Sequence, residues 1–173
     1  MLAPRARAAT PGYVVPDRFL PQMVRIKPSF APGQIFIVTR LHYLYFVTEP
    51  GQAMRYGIGV GKEGLAFQGQ AVIQVKKKWP TWRPTDEMIE RDPRHYGKYK
   101  DNTDAMPGGP GNPLGARAMY LFQNGRDTYF RIHGTIEPQS IGRSVSSGCI
   151  RMINEHVMDL YERVPIGTVV NVI

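Results

Sequence analysis

The chain contains only one cysteine in 173 residues, so no disulfide can form within it. It also lacks any apolar run near the roughly 18 residues that a membrane-spanning helix requires, and we expect no transmembrane segment. The sequence contains no cysteine pair and no pair of histidines at the spacing of a metal site. The sequence therefore predicts neither a metal nor a cofactor.

Acidic residues are the minority among the charged side chains, with 14 against 22 basic residues and a net charge of +8. Such a field attracts polyanions, which include nucleic acids, anionic membranes and a carboxylate-rich cell wall. The only basic run, at 76–78, is interpreted as a solvated strand end. Zinc-finger spacing, an RNP aromatic motif and basic heptads are absent, so we expect no nucleic-acid partner.

Helical periodicity is scarce, whereas glycine (18) and proline (15) are abundant, and this combination favours a loop-rich, mainly β protein. Apolar and β-branched runs predict strands at 34–39, 43–48, 53–60, 71–75, 118–122, 128–132 and 168–173. Asn124-Gly125 is a hairpin signal between two of them. Gly57, Gly59 and Gly61 indicate close approach of the backbone, and no helix follows them as a dinucleotide fingerprint would need.

One helix is predicted near the C-terminus. Apolar side chains recur there at helical spacing, at Val157, Leu160, Tyr161 and Val164. Asn154 is the expected N-cap. His156 falls on the polar side of this helix, and we expect it to be exposed to solvent.

Two segments have little periodicity. Residues 1–33 are rich in proline and are interpreted as an extended N-terminal arm or linker, which leaves 34–173 as the folded domain. Residues 79–113 form a long loop with many prolines and glycines, and a loop of this length in a compact domain is usually functional or disordered. Two tryptophans near its start argue against disorder, and a short helix is predicted at 85–91 with Thr85 or Asp86 as cap.

The residues with catalytic potential cluster around Cys149. A thiolate is a strong nucleophile, and a nearby imidazole can take its proton and later protonate a leaving amine. His133 ends a predicted strand, and Cys149 lies in a Ser/Gly-rich turn in which Gly148 permits a sharp bend. Free N–H groups in this turn, close to a helix start, would form an oxyanion hole. Residue types alone leave open that the cysteine is an inert small hydrophobe and the histidine an ordinary strand-end residue.

The spacing of these residues resembles a known family. His133-Gly134-Thr135 precedes Cys149 by sixteen residues, and residues 146–152 read Ser-Ser-Gly-Cys-Ile-Arg-Met. This pattern is similar to the L,D-transpeptidase catalytic domain, also called the YkuD domain. The glycine-rich segment 57–64 and the loop segments 79–84 and 108–115 resemble the same family, so that the resemblance covers residues 34–173.

The resemblance implies a mixed β-sandwich with one C-terminal helix after the nucleophile and a long lid loop. It implies that Cys149 attacks a peptidoglycan tetrapeptide stem at its diamino acid, expels the terminal D-alanine and forms a thioester. An amine of another stem would then resolve this thioester to give a 3→3 cross-link. His133 would act as base and then acid, and the carbonyl of Gly134 would orient it. An enzyme of this kind would be sensitive to carbapenems.

Five further positions are expected at the substrate. Arg151 matches the arginine of the family and would steady the turn or bind a stem carboxylate. Ser147 and Gly148 flank the nucleophile, and Ser147 would donate a hydrogen bond near the oxyanion. Trp82 and Asn112 lie in the predicted lid.

Other outcomes of the same chemistry stay open. Water as acceptor would make the protein an L,D-carboxypeptidase, and a protein amine would make it an enzyme that anchors a surface protein to the wall. A papain-like peptidase is disfavoured because its cysteine precedes its histidine, and a non-catalytic wall-binding module requires neither His133 nor Cys149. The substrate predicts a periplasmic or wall-associated location, with the export signal absent from residues 1–9.

Overall fold

The computed structural model describes residues 12–102 and 104–173, so the first eleven residues of the predicted arm lie outside the described part of the chain. Eleven strands make up most of its regular structure: β1 Gln22–Arg25, β2 Ile35–Val38, β3 Tyr43–Glu49, β4 Gln52–Gly57, β5 Val60–Gly61, β6 Gly69–Lys78, β7 Arg117–Gln123, β8 Arg126–His133, β9 Ser144–Ser146, β10 Ile150–Arg151 and β11 Val169–Val172. Three α-helices accompany them: α1 Asp86–Arg91, α2 Pro93–Tyr96 and α3 Asn154–Arg163.

Nine of these strands form one mixed sheet in the order β1-β4-β3-β2-β11-β6-β7-β8-β10. Two neighbouring pairs, β2 with β11 and β8 with β10, are parallel, and the others are antiparallel. The remaining strands β5 and β9 pair with each other in parallel. The predicted mainly β fold with a mixed sheet and a C-terminal helix is therefore confirmed.

The sheet folds over a single main core. Tyr56 on β4 and Ile150 on β10 belong to the same buried cluster as Leu160 on α3. In a flat sheet β4 and β10 would be roughly 30 Å apart, because strands are spaced by about 4.8 Å. Their shared core therefore requires strong curvature, and the Tyr56 hydroxyl, which donates to Asp159 Oδ2 of α3 at 2.5 Å, ties one end of the sheet to the helix.

Helix α3 confirms the predicted apolar face, since Val157, Leu160 and Tyr161 are all buried. Two expectations for this helix were wrong. Asn154 is its first residue rather than its N-cap, and its side chain bonds elsewhere. His156 is buried, with 1% of its surface exposed, because the helix is covered on more than its apolar stripe.

The N-terminal segment packs on the domain from residue 13 onward. Phe19 and Val15 are buried with Ile141 and Ile153 in a second, smaller apolar cluster. Strand β1 then pairs with β4 and forms one edge of the large sheet. The domain boundary at residue 33 stays a prediction.

The long loop 79–113 contains α1, α2 and a 3-10 segment at Gly97–Asn102. Thr85 caps α1, since its side chain accepts a hydrogen bond from the Met88 N–H, as predicted. The described parts of the loop are thus held by short helices, and its two ends meet β6 and β7.

Candidate active site

Strands β8 and β10 lie side by side in parallel at the end of the sheet, with Arg151 opposite His133 and Ile150 opposite Ile132. Side chains alternate between the two faces of a strand. Because Ile132 and Ile150 point into the core, His133 and Arg151 point to the outer face. Cys149 directly precedes β10, and the backbone N–H of Arg131 acts on its sulfur in the direction that stabilises the thiolate. The parallel register places Cys149 beside Arg131, and strand alternation puts residues 131 and 133 of β8 on the same face.

The ring of His133 has a defined orientation. Its Nδ1 lies 2.5 Å from the carbonyl oxygen of Gly134, and a carbonyl can only accept. Nδ1 therefore carries the proton, which leaves the lone pair of Nε2 free in the neutral ring. Burial lowers the pKa of His133 to about 4, with the guanidiniums of Arg151 and Arg131 acting in the same direction and the Gly134 carbonyl opposing them.

The thiol of Cys149 is partly buried and its Sγ lies 3.9 Å from the carbonyl oxygen of Tyr129. Burial raises its pKa above the ordinary value for a thiol. The backbone N–H of Arg131 and the guanidiniums of Arg131 and Arg151 oppose this rise. Since the pKa of His133 is lowered and that of Cys149 is raised, the resting pair is a neutral thiol beside a neutral imidazole.

Ser146 organises the turn that carries the nucleophile. Its hydroxyl donates to the carbonyl of Cys149 at 2.7 Å and accepts from the N–H of Gly148 at 3.1 Å. The Gly148 N–H is therefore engaged within the turn, and the turn leads into β10 instead of a helix, since α3 begins only at Asn154. Sequence reasoning placed Ser146 in the motif without giving it this role. An oxyanion hole formed by N–H groups of this turn stays a prediction.

Gly148 is required by both conformation and space. Its φ is 129°, a backbone conformation that residues other than glycine rarely adopt. A Cβ there would collide with the ring of Phe130 and lie 2.7 Å from the carbonyl oxygen of Leu65. A Cβ on Gly61 would lie 2.7 Å from the Cα of Gly148. The predicted close backbone approach of the glycine-rich segment is thereby confirmed, and it is this turn that the segment approaches.

Two arginines flank the pair, and each is paired with a carboxylate. Arg131 binds both oxygens of Asp127, at 2.6 and 2.9 Å, and its guanidinium lies 3.8 Å from the ring centroid of Tyr120. Arg151 binds Glu137 at 2.9 Å. Sequence reasoning identified Arg151 and missed Arg131, although strand alternation from His133 places residue 131 on the same face.

A bulge in β8 lies beside the nucleophile. The register between β7 and β8 shifts between Tyr120 and Phe122, and within the extra residues Tyr129 has a φ of 64°. Asp127 accepts from the N–H of Tyr129 at 2.7 Å and so holds the bulge. Bulges next to active sites redirect side chains and backbone groups, and this one brings the Tyr129 carbonyl to Cys149.

The remaining predicted substrate residues have different surroundings. Ser147 is exposed beside the nucleophile. The ring of Trp82 packs edge-on against Tyr96, with 5.9 Å between their centroids. Asn112 is 1% exposed, and its amide bonds only backbone groups of its own loop: Pro80, Met106, Pro107 and Leu114. This corrects the expectation for Asn112, whose hydrogen-bonding groups are already satisfied within the loop.

A cavity of about 410 Å³ lies beside Thr135, and Cys149 is not among the residues that line it. It is lined by Trp79 and Pro110 of the long loop, by Thr135 and by Asn154 and Met158 of α3. Within residues 12–102 and 104–173, no three His, Cys, Asp or Glu side chains converge as a metal site would require. No helix in this part of the chain is long and apolar enough to cross a membrane.

The model of the L,D-transpeptidase catalytic domain, YkuD, matches residues 32–172. The chain belongs to this family. The family resemblance of the segment around Cys149 is therefore confirmed, and the chain is in general terms an enzyme domain of the L,D-transpeptidase type.

Individual relatives agree with this assignment to different degrees. The probable L,D-transpeptidase ErfK/SrfK of Escherichia coli is 32% identical over 89% of this chain and 48% of its own length, so the chain spans about half of that relative. A crystal structure from Brucella melitensis is 57% identical with a TM-score of 0.62, covering 89% of this chain and 93% of that one, and is described as a probable carnitine operon oxidoreductase. L,D-transpeptidase 3 from Mycobacterium tuberculosis is 14% identical with a TM-score of 0.58, covers 83% of this chain and 62% of that one, and shares the fold.

Proposed function

We propose that this domain is a cysteine L,D-transpeptidase that cross-links peptidoglycan stems. The observation that carries the proposal is the arrangement of three groups at one end of the sheet. Cys149 directly precedes β10, whose parallel register sets Arg151 opposite His133 on β8, and the Gly134 carbonyl accepts the Nδ1 proton of His133. A nucleophile, its base and an orienting group are the parts that thiol-based acyl transfer requires.

The acylation step begins from the neutral pair. As Sγ attacks the carbonyl carbon of the diamino acid in a tetrapeptide stem, Nε2 of His133 takes the thiol proton. The tetrahedral oxyanion then collapses, the bond to the terminal D-alanine breaks, and the imidazolium returns the proton to the leaving amine. The products are a thioester on Cys149 and free D-alanine, with His133 neutral again.

The second step runs through the same atoms in reverse order. The side-chain amine of a second stem attacks the thioester carbon and passes its proton to Nε2, which delivers it to the departing sulfur. The product is a 3→3 cross-link. Water in place of the amine would give an L,D-carboxypeptidase, and a protein amine would give wall anchoring.

The charge of the site suits this substrate. Stem peptides bear carboxylates, and the guanidiniums of Arg131 and Arg151 both act on the sulfur and the imidazole. Arg151 keeps 24% of its side chain exposed while bound to Glu137, so it can exchange this partner for a substrate carboxylate. A net charge of +8 favours an anionic wall, and we place the enzyme in the periplasm or at the cell wall.

No residue pattern favours oxidoreductase chemistry, which the description of the Brucella structure names. A dinucleotide fingerprint places its glycines between a strand and a helix. Here Gly57, Gly59 and Gly61 lead from β4 into β5, and Gly61 packs against the nucleophile turn. Gly61 therefore serves the cysteine site and not a dinucleotide.

Two measurements test the proposal. Intact-mass analysis after incubation with a carbapenem should reveal one covalent adduct, which Cys149→Ala abolishes and Asn171→Leu, a change on the distant strand β11, retains. Digestion of tetrapeptide-bearing peptidoglycan after reaction should then yield 3→3 dimers. The absence of any adduct on the folded protein would overturn acyl-enzyme chemistry, whereas adduct formation with only shortened stems would replace cross-linking by carboxypeptidase activity.

A further inference from the structure

The group that orients His133 is a main-chain carbonyl, so something must orient that carbonyl in turn. The oxygen belongs to the peptide group between Gly134 and Thr135, and a peptide group is planar. In a trans peptide the C=O and N–H bonds point in opposite directions. Whatever binds the Thr135 N–H therefore fixes the direction of the Gly134 oxygen.

Asn154 provides that contact. Its Oδ1 accepts from the N–H of Thr135 at 3.2 Å and from the N–H of Ala116 at 3.0 Å. The first bond fixes the peptide whose carbonyl holds His133. The second ties the same oxygen to the end of the long loop, just before β7. One amide oxygen at the start of α3 thus links the loop, the helix and the base.

The surrounding backbone leaves no room for another arrangement. A Cβ on Gly134 or on Gly115 would collide with Asn154 Oδ1, and the Cβ on Gly115 would also lie 2.7 Å from the carbonyl carbon of Gly134. The other side of the segment is held by the Gly134 N–H, which donates to the carbonyl of Arg117 at 3.0 Å. The two peptide groups on either side of Gly134 are therefore both held, and two glycines allow the amide oxygen of Asn154 to reach the segment.

We infer that Asn154 is a positioning residue for the base: its amide oxygen fixes the Gly134–Thr135 peptide so that the Gly134 carbonyl holds the proton on Nδ1 of His133. Nε2 then carries no proton in the neutral ring and is available to take one. The consequence for catalysis rests on the proposed function. The consequence for the ring tautomer does not, because it can be read in the absence of any substrate.

The test is the tautomer of His133, read from its ring nitrogen shifts in a long-range ¹H–¹⁵N correlation spectrum of the whole chain at pH 7. In the wild type Nδ1 should be protonated and Nε2 bare. Asn154→Asp keeps an acceptor oxygen in place and should keep this tautomer. Asn154→Leu has nearly the same shape without the acceptor, and both ring nitrogens should move toward averaged shifts. Asn171→Leu removes a comparable half-buried amide on β11 and should change neither.

The rate of carbapenem acylation gives the second readout. It should fall roughly tenfold to a hundredfold in Asn154→Leu, as expected for a misplaced catalytic group, and Asn154→Asp should recover most of it. Asn154→Ala replaces the leucine variant if that one does not fold. An unchanged tautomer in folded Asn154→Leu, or a wild-type ring protonated on Nε2, would overturn the inference. A wild type with the expected tautomer but no acylation would overturn the proposed function alone.

Discussion

The thiol of Cys149 should react with alkylating agents as an un-ionised thiol and not as the thiolate of an ion pair. Burial raises its pKa above the ordinary value, and burial lowers the pKa of His133 to about 4. At pH 7 only a small minority of the thiols is then ionised. Because the thiolate is the reactive form, the alkylation rate should rise about tenfold per pH unit between pH 6 and 8.

An ion pair predicts a very different curve. If the proton rested on His133, the thiolate would already be fully formed at pH 6, and the rate would be flat from there to pH 8. The two models differ by more than about a hundredfold in thiolate fraction at pH 6. The variant His133→Ala separates the two models further. For a neutral pair its alkylation rates should stay within about threefold of the wild-type rates at each pH, while acylation by a carbapenem is abolished.

The assay is iodoacetamide modification followed by intact mass, and it is unambiguous because Cys149 is the only cysteine. The reasoning fails if the wild type has a plateau between pH 5 and 8 that disappears in His133→Ala. Such a result would mean that the arginine guanidiniums outweigh burial at the sulfur, and the acylation step would then start from imidazolium and thiolate.

Three further outcomes follow from the same contacts. Gly148→Ala should lower the rate of acylation by a carbapenem roughly a hundredfold or more. The control Gly64→Ala should leave this rate near that of the wild type, because Gly64 has a φ of 80° but open space around it. His156→Leu should raise the free energy of unfolding in urea by about 1–2 kcal/mol at pH 7, because both ring nitrogens are buried without a partner among the described residues. This gain in stability should be larger at pH 5, because unfolded His156 binds a proton near pH 6.5 whereas the folded residue, with a pKa of about 4, does not. An equal gain at both pH values would contradict the burial argument. Tyr129→Gly should stabilise the protein by about 1 kcal/mol in urea denaturation, because glycine adopts the positive φ of this exposed residue without strain. A loss of stability would mean that the exposed ring makes stabilising contacts.

Local patterns predicted most of the sheet and both halves of the reactive pair. Alternating apolar residues predicted the strands because one face of each is buried, and Asn124-Gly125 predicted the β7–β8 turn because both residues adopt positive φ there. The spacing between His133 and Cys149 indicated a shared site. That β8, which ends at His133, pairs in parallel with β10, which Cys149 directly precedes, depends on the tertiary fold.

The failures have a common physical origin. Asn154 is a good N-cap by residue type. Its side-chain oxygen instead accepts hydrogen bonds from two backbone N–H groups that are distant in sequence. Asn112 likewise organises its loop from within. His156 was expected in solvent because helix periodicity describes one apolar face, whereas burial depends on what covers the other. Partners distant in sequence decide each case, and a single sequence does not contain them.

In the proposed periplasmic location, which is oxidising, burial at the site would protect the lone cysteine. Oxidation of a thiol follows its thiolate character and exposure, so the burial that raises the pKa of Cys149 also slows its loss to sulfenic acid. The cost is a weaker resting nucleophile. In the proposed mechanism His133 offsets this cost only when a substrate carbonyl is in place, because Nε2 takes the proton as the sulfur attacks. The orientation of one imidazole, and hence of the Gly134 carbonyl that sets it, therefore determines whether the protected thiol can react.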